Sequence, residues 1–147
     1  MNRRELIGAG IGLGAVAWGA DALGQPHPAS PTDAKSTVLA TLADCIAKGT
    51  VCNAHCQTEL AQGAKDFVHC ATAVMDMLAV VTATQSLISR QSVNAKKLAE
   101  VCAAACRECA AACLEHKAHW AHGMHLECKA CMEACNACAP ACAAYAA

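Results

Sequence analysis

The feature that most restricts what this chain can become is the spacing of its cysteines. There are 13 in 147 residues. Cys102, Cys106, Cys109 and Cys113 are spaced 4, 3, 4, while Cys128, Cys131, Cys135, Cys138 and Cys142 are spaced 3, 4, 3, 4. At about 100° per residue these two sets fall within arcs of about 60° and about 80° on a helix, so each is a single stripe. Cys45, Cys52 and Cys56 add a third stripe within about 40°. Cys70 shares a fourth with Val74, Met77, Val81 and Ile88. In a packed bundle such a seam is normally filled by leucine. Here the seam residue is cysteine.

The rest of the chain supports helices. Strand patterns are nearly absent after about residue 37, and alanine, the best helix former, recurs throughout. Breaks fall at Gly63, at the polar segment 89–94 with capping candidates Ser92 and Asn94, and at 119–124 with Gly123. Four helical stretches result, at roughly 33 to 62, 65 to 89, 94 to 117 and 125 to 146. Short connections make neighbours antiparallel, so the expected fold is all-α: an up-down-up-down four-helix bundle with a cysteine-lined core, spanning residues 37–147. Pro140 is expected to kink or end the last helix, which makes Cys142 the least secure member of its stripe.

Ahead of this domain, Arg3 and Arg4 precede a glycine-punctuated apolar run, and Ala20, Asp21 and Ala22 give a small-x-small pattern. Residues 1–22 therefore read as a twin-arginine export signal, and residues 23–36, with Pro26, Pro28 and Pro31, as a flexible linker. The expected location is periplasmic, with no membrane association once the signal is cleaved. An uncleaved anchor is the competing reading of the same residues. Export of an already folded chain would protect its thiols from random pairing in an oxidising compartment.

Composition narrows the function. Two tryptophans, one tyrosine and one phenylalanine leave little for an ordinary enzyme core. The formal charge of -1, from 11 basic and 12 acidic residues in no long run, offers no grip on nucleic acid. Cysteine used as a small hydrophobe explains one or two buried thiols, not whole stripes. A disulfide scaffold fits poorly, because the count is odd and neighbours on one helix face have nearly parallel Cβ directions. Zinc prefers isolated sets of four ligands, and cuboidal iron–sulfur clusters a compact cysteine loop that is absent here. Continuous thiolate stripes suit a soft ion of low coordination number that accepts bridging sulfur, namely Cu(I), at roughly one ion per cysteine.

The sequence resembles the bacterial copper storage proteins, in particular their exported branch. The resemblance rests on Cys45, then Cys52-Asn-Ala-His55-Cys56, then Cys102, Cys106 and Cys109, then Cys128-Lys-Ala-Cys131-Met-Glu-Ala-Cys135-Asn-Ala-Cys138. It implies storage of many Cu(I) ions per chain, a homotetramer of bundles, and copper held for a chaperone or cuproenzyme or for detoxification. Exported members carry several methionines after the CxxHC motif, where this chain has Gln57, Thr58, Glu59, Leu60, Ala61 and Gln62. The candidate metal ligands are the thirteen cysteines, Cys45, Cys52, Cys56, Cys70, Cys102, Cys106, Cys109, Cys113, Cys128, Cys131, Cys135, Cys138 and Cys142, together with His55.

In an antiparallel bundle, Cys52, Cys56, Cys70, Cys113, Cys128 and Cys131 lie near one end, here called the top. His55, His69, His116, His119, His122, Met124 and His125 are expected at the same end, as acceptors of incoming copper or as an ordinary polar loop. A continuous helix would rotate the loop histidines apart unless Gly123 breaks it. His27 is incidental, and Met75 and Met132 are packing or surface residues. Below, Met77, Val81, Leu87 and Ile88 should meet Val38, Leu42 and Leu98 as an apolar plug. No catalytic set stands out, so an enzyme is not expected. The competing functions are a thiolate sink for zinc or cadmium, a CxxC redox protein using Cys128 and Cys131 or Cys135 and Cys138, and a copper-sensing repressor. The redox reading needs one exposed, low-pKa cysteine at a helix N-terminus, a position only Cys128 occupies.

Overall fold

The computed structural model describes residues 31–147. Residues 1–22, where an export signal is expected, and residues 23–30 of the expected linker lie outside the described residues. Four long helices, α1 (Pro31–Ala61), α2 (Val68–Ser89), α3 (Ala95–Leu114) and α5 (Leu126–Ala146), alternate in direction, with a single-turn helix α4 (Lys117–Trp120) in the last connection. Each long helix packs against two neighbours, in the ring α1, α2, α3, α5. This is the four-helix bundle that the cysteine spacing requires. Among the described residues there is no strand.

The helix boundaries follow from backbone chemistry. α1 opens on Pro31, so the last residues assigned to the linker are its first turns; a proline has the fixed φ and missing N–H that a first turn tolerates. It ends at a left-handed Gly63 (φ 93°), where Gly63 N–H donates to the Leu60 carbonyl and Ala64 N–H to that of Glu59. Those two bonds close a Schellman motif and satisfy carbonyls that would otherwise be orphaned. The same pair of bonds ends α2, through Gln91 at φ 56°, and α4, through Gly123 at φ 72°. Before α3, Asn94 occupies the N-cap without a side-chain cap bond, while its N–H donates to Ser92 Oγ. α3 stops at Leu114, earlier than the periodicity indicates, and α2 is preceded by a 3-10 turn at Lys65–Phe67.

Pro140 does not end the last helix. α5 runs through it to Ala146, and Cys142 remains fully buried. The reason is its place on the helix. Pro140 and Asn136, whose carbonyl would have received the missing N–H, are both exposed, so the lost bond falls on the solvated side.

All thirteen cysteines are free and buried. The lower core holds Val38, Leu42, Val81, Thr84 and Ile88, all buried, with Leu87 packed against them and Leu98 half-buried. The Thr84 hydroxyl donates to the Val80 carbonyl 2.8 Å away, which settles the one polar group there. Lys65–Ser89 is apolar and long enough to cross a bilayer by length and composition, yet its stripe of Val74, Met77, Val81 and Ile88 packs into the bundle core.

Because the large aliphatic side chains are concentrated in this plug, it should carry much of the metal-free stability. Leu42→Ala is expected to lower the unfolding free energy of the metal-free protein by about 2–5 kcal/mol, measured by urea denaturation, and Cys142→Ala by about 1 kcal/mol. Equal losses at the two positions would mean that the thiol column holds the fold as firmly as the plug.

Candidate metal centre

The helix period turns the four cysteine stripes toward one axis, and their sulfurs form a connected column. Near the top, Cys70 Sγ lies 3.6 Å from Cys113, Cys52 lies 3.8 Å from Cys128 and 4.0 Å from Cys113, and Cys70 lies 4.0 Å from Cys128. Below them Cys109 approaches Cys131 at 3.8 Å and Cys45 approaches Cys135 at 3.6 Å. At the lower end Cys142 lies 3.5 Å from Cys102 and 3.7 Å from Cys138.

Grouped by mutual reach, Cys52, Cys56, Cys70 and Cys128 make a foursome. The column continues as trios: Cys52, Cys113 and Cys131; Cys109, Cys131 and Cys135; Cys45, Cys106 and Cys135; Cys102, Cys106 and Cys138. Cys52, Cys131, Cys135 and Cys106 each belong to two of these sets. Overlapping trios are a poor match to zinc, which takes four ligands in closed structural sites. They fit a soft ion that is content with two or three sulfurs and tolerates sharing.

The thiols polarise one another. Cys128 is held down to about 4, chiefly by the hydrogen bond with Cys113 and further by Cys52 and Cys56, and Cys138 likewise to about 4, first by Cys102 and then by Cys106 and Cys142. Cys113 and Cys135 are pushed upward, first by their hydrogen bonds with Cys109 and Cys106 respectively, with burial adding to the rise. So many sulfurs in one dry core cannot all ionise without counter-charge. The low value at Cys128 does not make it a redox thiol, because it is fully buried and out of reach of an external disulfide.

The top of the column is closed by Phe67, the chain's single phenylalanine, delivered by the 3-10 turn and almost wholly buried. His116, 3% exposed, stacks on it with centroids 4.1 Å apart. His55 and His125 meet the same ring edge-on at 5.5 and 4.9 Å. His55 Nε2 lies 3.0 Å from His125 Nδ1, and His55 Nδ1 faces Glu127 at 3.8 Å and Glu59 at 3.9 Å. His119 adds a ring 5.1 Å from that of His125.

Gly123 does break the helix, and with His125 itself left-handed (φ 53°) His116 and His125 turn inward, while His119 and His122 stay exposed. His116 Nε2 is buried without a partner. His69 instead pairs with Glu115 at 2.8 Å on the exposed surface, His122 is exposed, and Met124 is half-exposed. The stripes brought all thirteen cysteines together. Sequence reasoning missed Phe67, and its being the one phenylalanine beside a helix start was the available signal.

Comparison with known proteins follows this geometry closely. The family model described as copper storage protein matches residues 32–147. The chain belongs to the copper storage protein family. Among solved structures, the copper storage protein Ccsp from Streptomyces lividans, loaded with 10 copper equivalents, is similar over 83% of this chain and 92% of that chain, at 27% identity and a TM-score of 0.67. A search of curated proteins finds no match. A copper storage protein stores copper, and the column of clustered buried thiols gives this member the means to bind many ions.

Loading has a definite pH sign. A thiol pushed above its usual range keeps its proton at neutral pH, and an incoming ion must displace it. Copper affinity is therefore expected to fall as pH falls, by about tenfold per pH unit for each proton displaced per ion. A weakly buffered anaerobic titration with an indicator dye measures the release. No liberated protons would mean that the thiols are already ionised.

Proposed function

We propose that this chain stores copper as Cu(I), held by the thiolates of its thirteen cysteines in a continuous multinuclear column. The observation that carries this reading is the sharing of sulfurs between neighbouring trios, which lets one thiolate bridge two ions. Soft thiolates select Cu(I) among the oxidation states of copper. The same ligands saturate the ion and leave little open coordination, which supports a storage role over a catalytic one. His55 joins the ligand set at the top, where His55, His116 and His125 gather around Phe67, with His119 against His125, as the entrance.

In the cell, we place the chain in the periplasm as a homotetramer that receives copper and gives it up to a chaperone or cuproenzyme, or keeps it out of harm. Support for export comes from Arg3, Arg4 and the small-x-small pattern at Ala20 and Ala22. Replacing Arg3 and Arg4 together by lysine is expected to retain the protein in the cytoplasm, followed by cell fractionation. Normal periplasmic appearance of that variant would remove the twin-arginine assignment.

Capacity tests the storage reading itself. Anaerobic titration of the reduced chain with Cu(I) against a calibrated chelator is expected to reach about ten to fifteen ions per monomer, as bridging sulfurs allow. Saturation at three or four would instead favour discrete tetrahedral sites and the zinc or cadmium sink.

A further inference from the structure

Among the described residues, the wall of the column holds one fully buried sulfur that is not a thiol. Met77, fully buried on α2, places its Sδ 3.5 Å from Cys45 Sγ. It stands two helical turns below Cys70 on the same stripe, in the part of α2 that has no further cysteine. Cys45 lies 3.6 Å from Cys135 in turn, and both belong to the trio with Cys106. Sulfurs from α1, α2 and α5 therefore converge at this level.

The orientation of Met77 is set by its neighbour on α1. A Cβ added at Gly49 would lie 2.7 Å from Met77 Cε and 3.0 Å from Leu78 Cδ2. The bare glycine, one turn along α1 from Cys45, leaves the space that receives the methionine methyl, while the sulfur beside that methyl faces the cysteine. Apolar packing alone needs no sulfur here, since the stripe is filled by Val74 and Val81 above and below. A thioether is a soft donor that suits Cu(I) and is foreign to the usual zinc ligand set. It is also neutral, so it adds a ligand without adding charge to a core already dense in thiolates. With metal–sulfur bonds of about 2.3 Å, a separation of 3.5 Å corresponds to an angle of about 100° at a shared ion. Three rotatable bonds let methionine open that angle further.

We propose that Met77 is a copper ligand, forming with Cys45 and Cys135 a mixed thioether–thiolate site on the floor side of the column. The proposal rests on the storage reading above and names a ligand that the cysteine stripes do not include.

The test uses the reduced chain with selenomethionine in place of methionine, loaded anaerobically with Cu(I) and examined by selenium-edge X-ray absorption, with the copper count taken on the same sample. A copper neighbour at bonding distance from selenium is expected. It should persist when Met75, Met124 and Met132 are replaced by leucine, and vanish in Met77→Leu, which preserves core volume. The Met77→Leu protein should also hold one ion fewer against a competing chelator. A chain filled to about ten to fifteen ions with no selenium–copper signal would overturn the role of Met77 and leave storage standing. Uptake that stops at three or four ions would overturn storage; a selenium–copper signal at that loading would still assign Met77 as a ligand, and its absence would reject both.

Discussion

Everything in this bundle depends on one constraint: the helix period that would ordinarily bury leucine buries thiols instead. A buried cysteine is a small hydrophobe with a weak hydrogen bond, so it closes a core without filling it strongly. The deficit is met in two places. Phe67 seals the top, and Val38, Leu42, Val81 and Ile88 fill the bottom. Between them alanines such as Ala99, Ala103, Ala110, Ala134 and Ala139 are buried beside the cysteines, and these small side chains let α3 and α5 form the most extensively packed pair of helices. The result is a narrow sulfur-lined core held at its ends.

Much of this was legible in the sequence, and for a definite reason. A spacing of 3 and 4 is a statement about direction, so the inward facing of Cys102 to Cys113 on α3 and of Cys128 to Cys142 on α5 follows from arithmetic alone. The lower plug followed in the same way from Val81 and Ile88, whereas Met77, expected in the plug, stands against Cys45 in the column. Position on the stripe also decided Pro140, but there the local rule about proline was applied without asking which face the residue occupies. Its exposure removes the penalty, and Cys142 stays in the column.

The top was harder to read because its geometry is set by left-handed residues. His125 adopts positive φ without being glycine, a conformation that sequence patterns seldom signal. His125 is the residue that turns the loop, and it is also the one whose ring reaches His55. A spacing rule that assumes a continuous helix separates those histidines; left-handed turns at Gly123 and His125 gather His116 and His125 beside His55. Phe67 then supplies the common surface on which His116 stacks and which His55 and His125 meet edge-on.

The plug has a further meaning once the column is viewed as a container. Aliphatic side chains offer no ligand, so if copper enters past Phe67 as proposed, it has no second way out through Leu42 and Ile88. A vessel sealed at its base is a stack, not a conduit. By position, the ion beside Cys56 would leave before the one beside Cys142, and each sulfur shared between two trios would have to be vacated in turn. The order of withdrawal is thereby written into the architecture: last in, first out. A recipient at the mouth would meet the newest copper while the oldest remained as a reserve that turns over slowly.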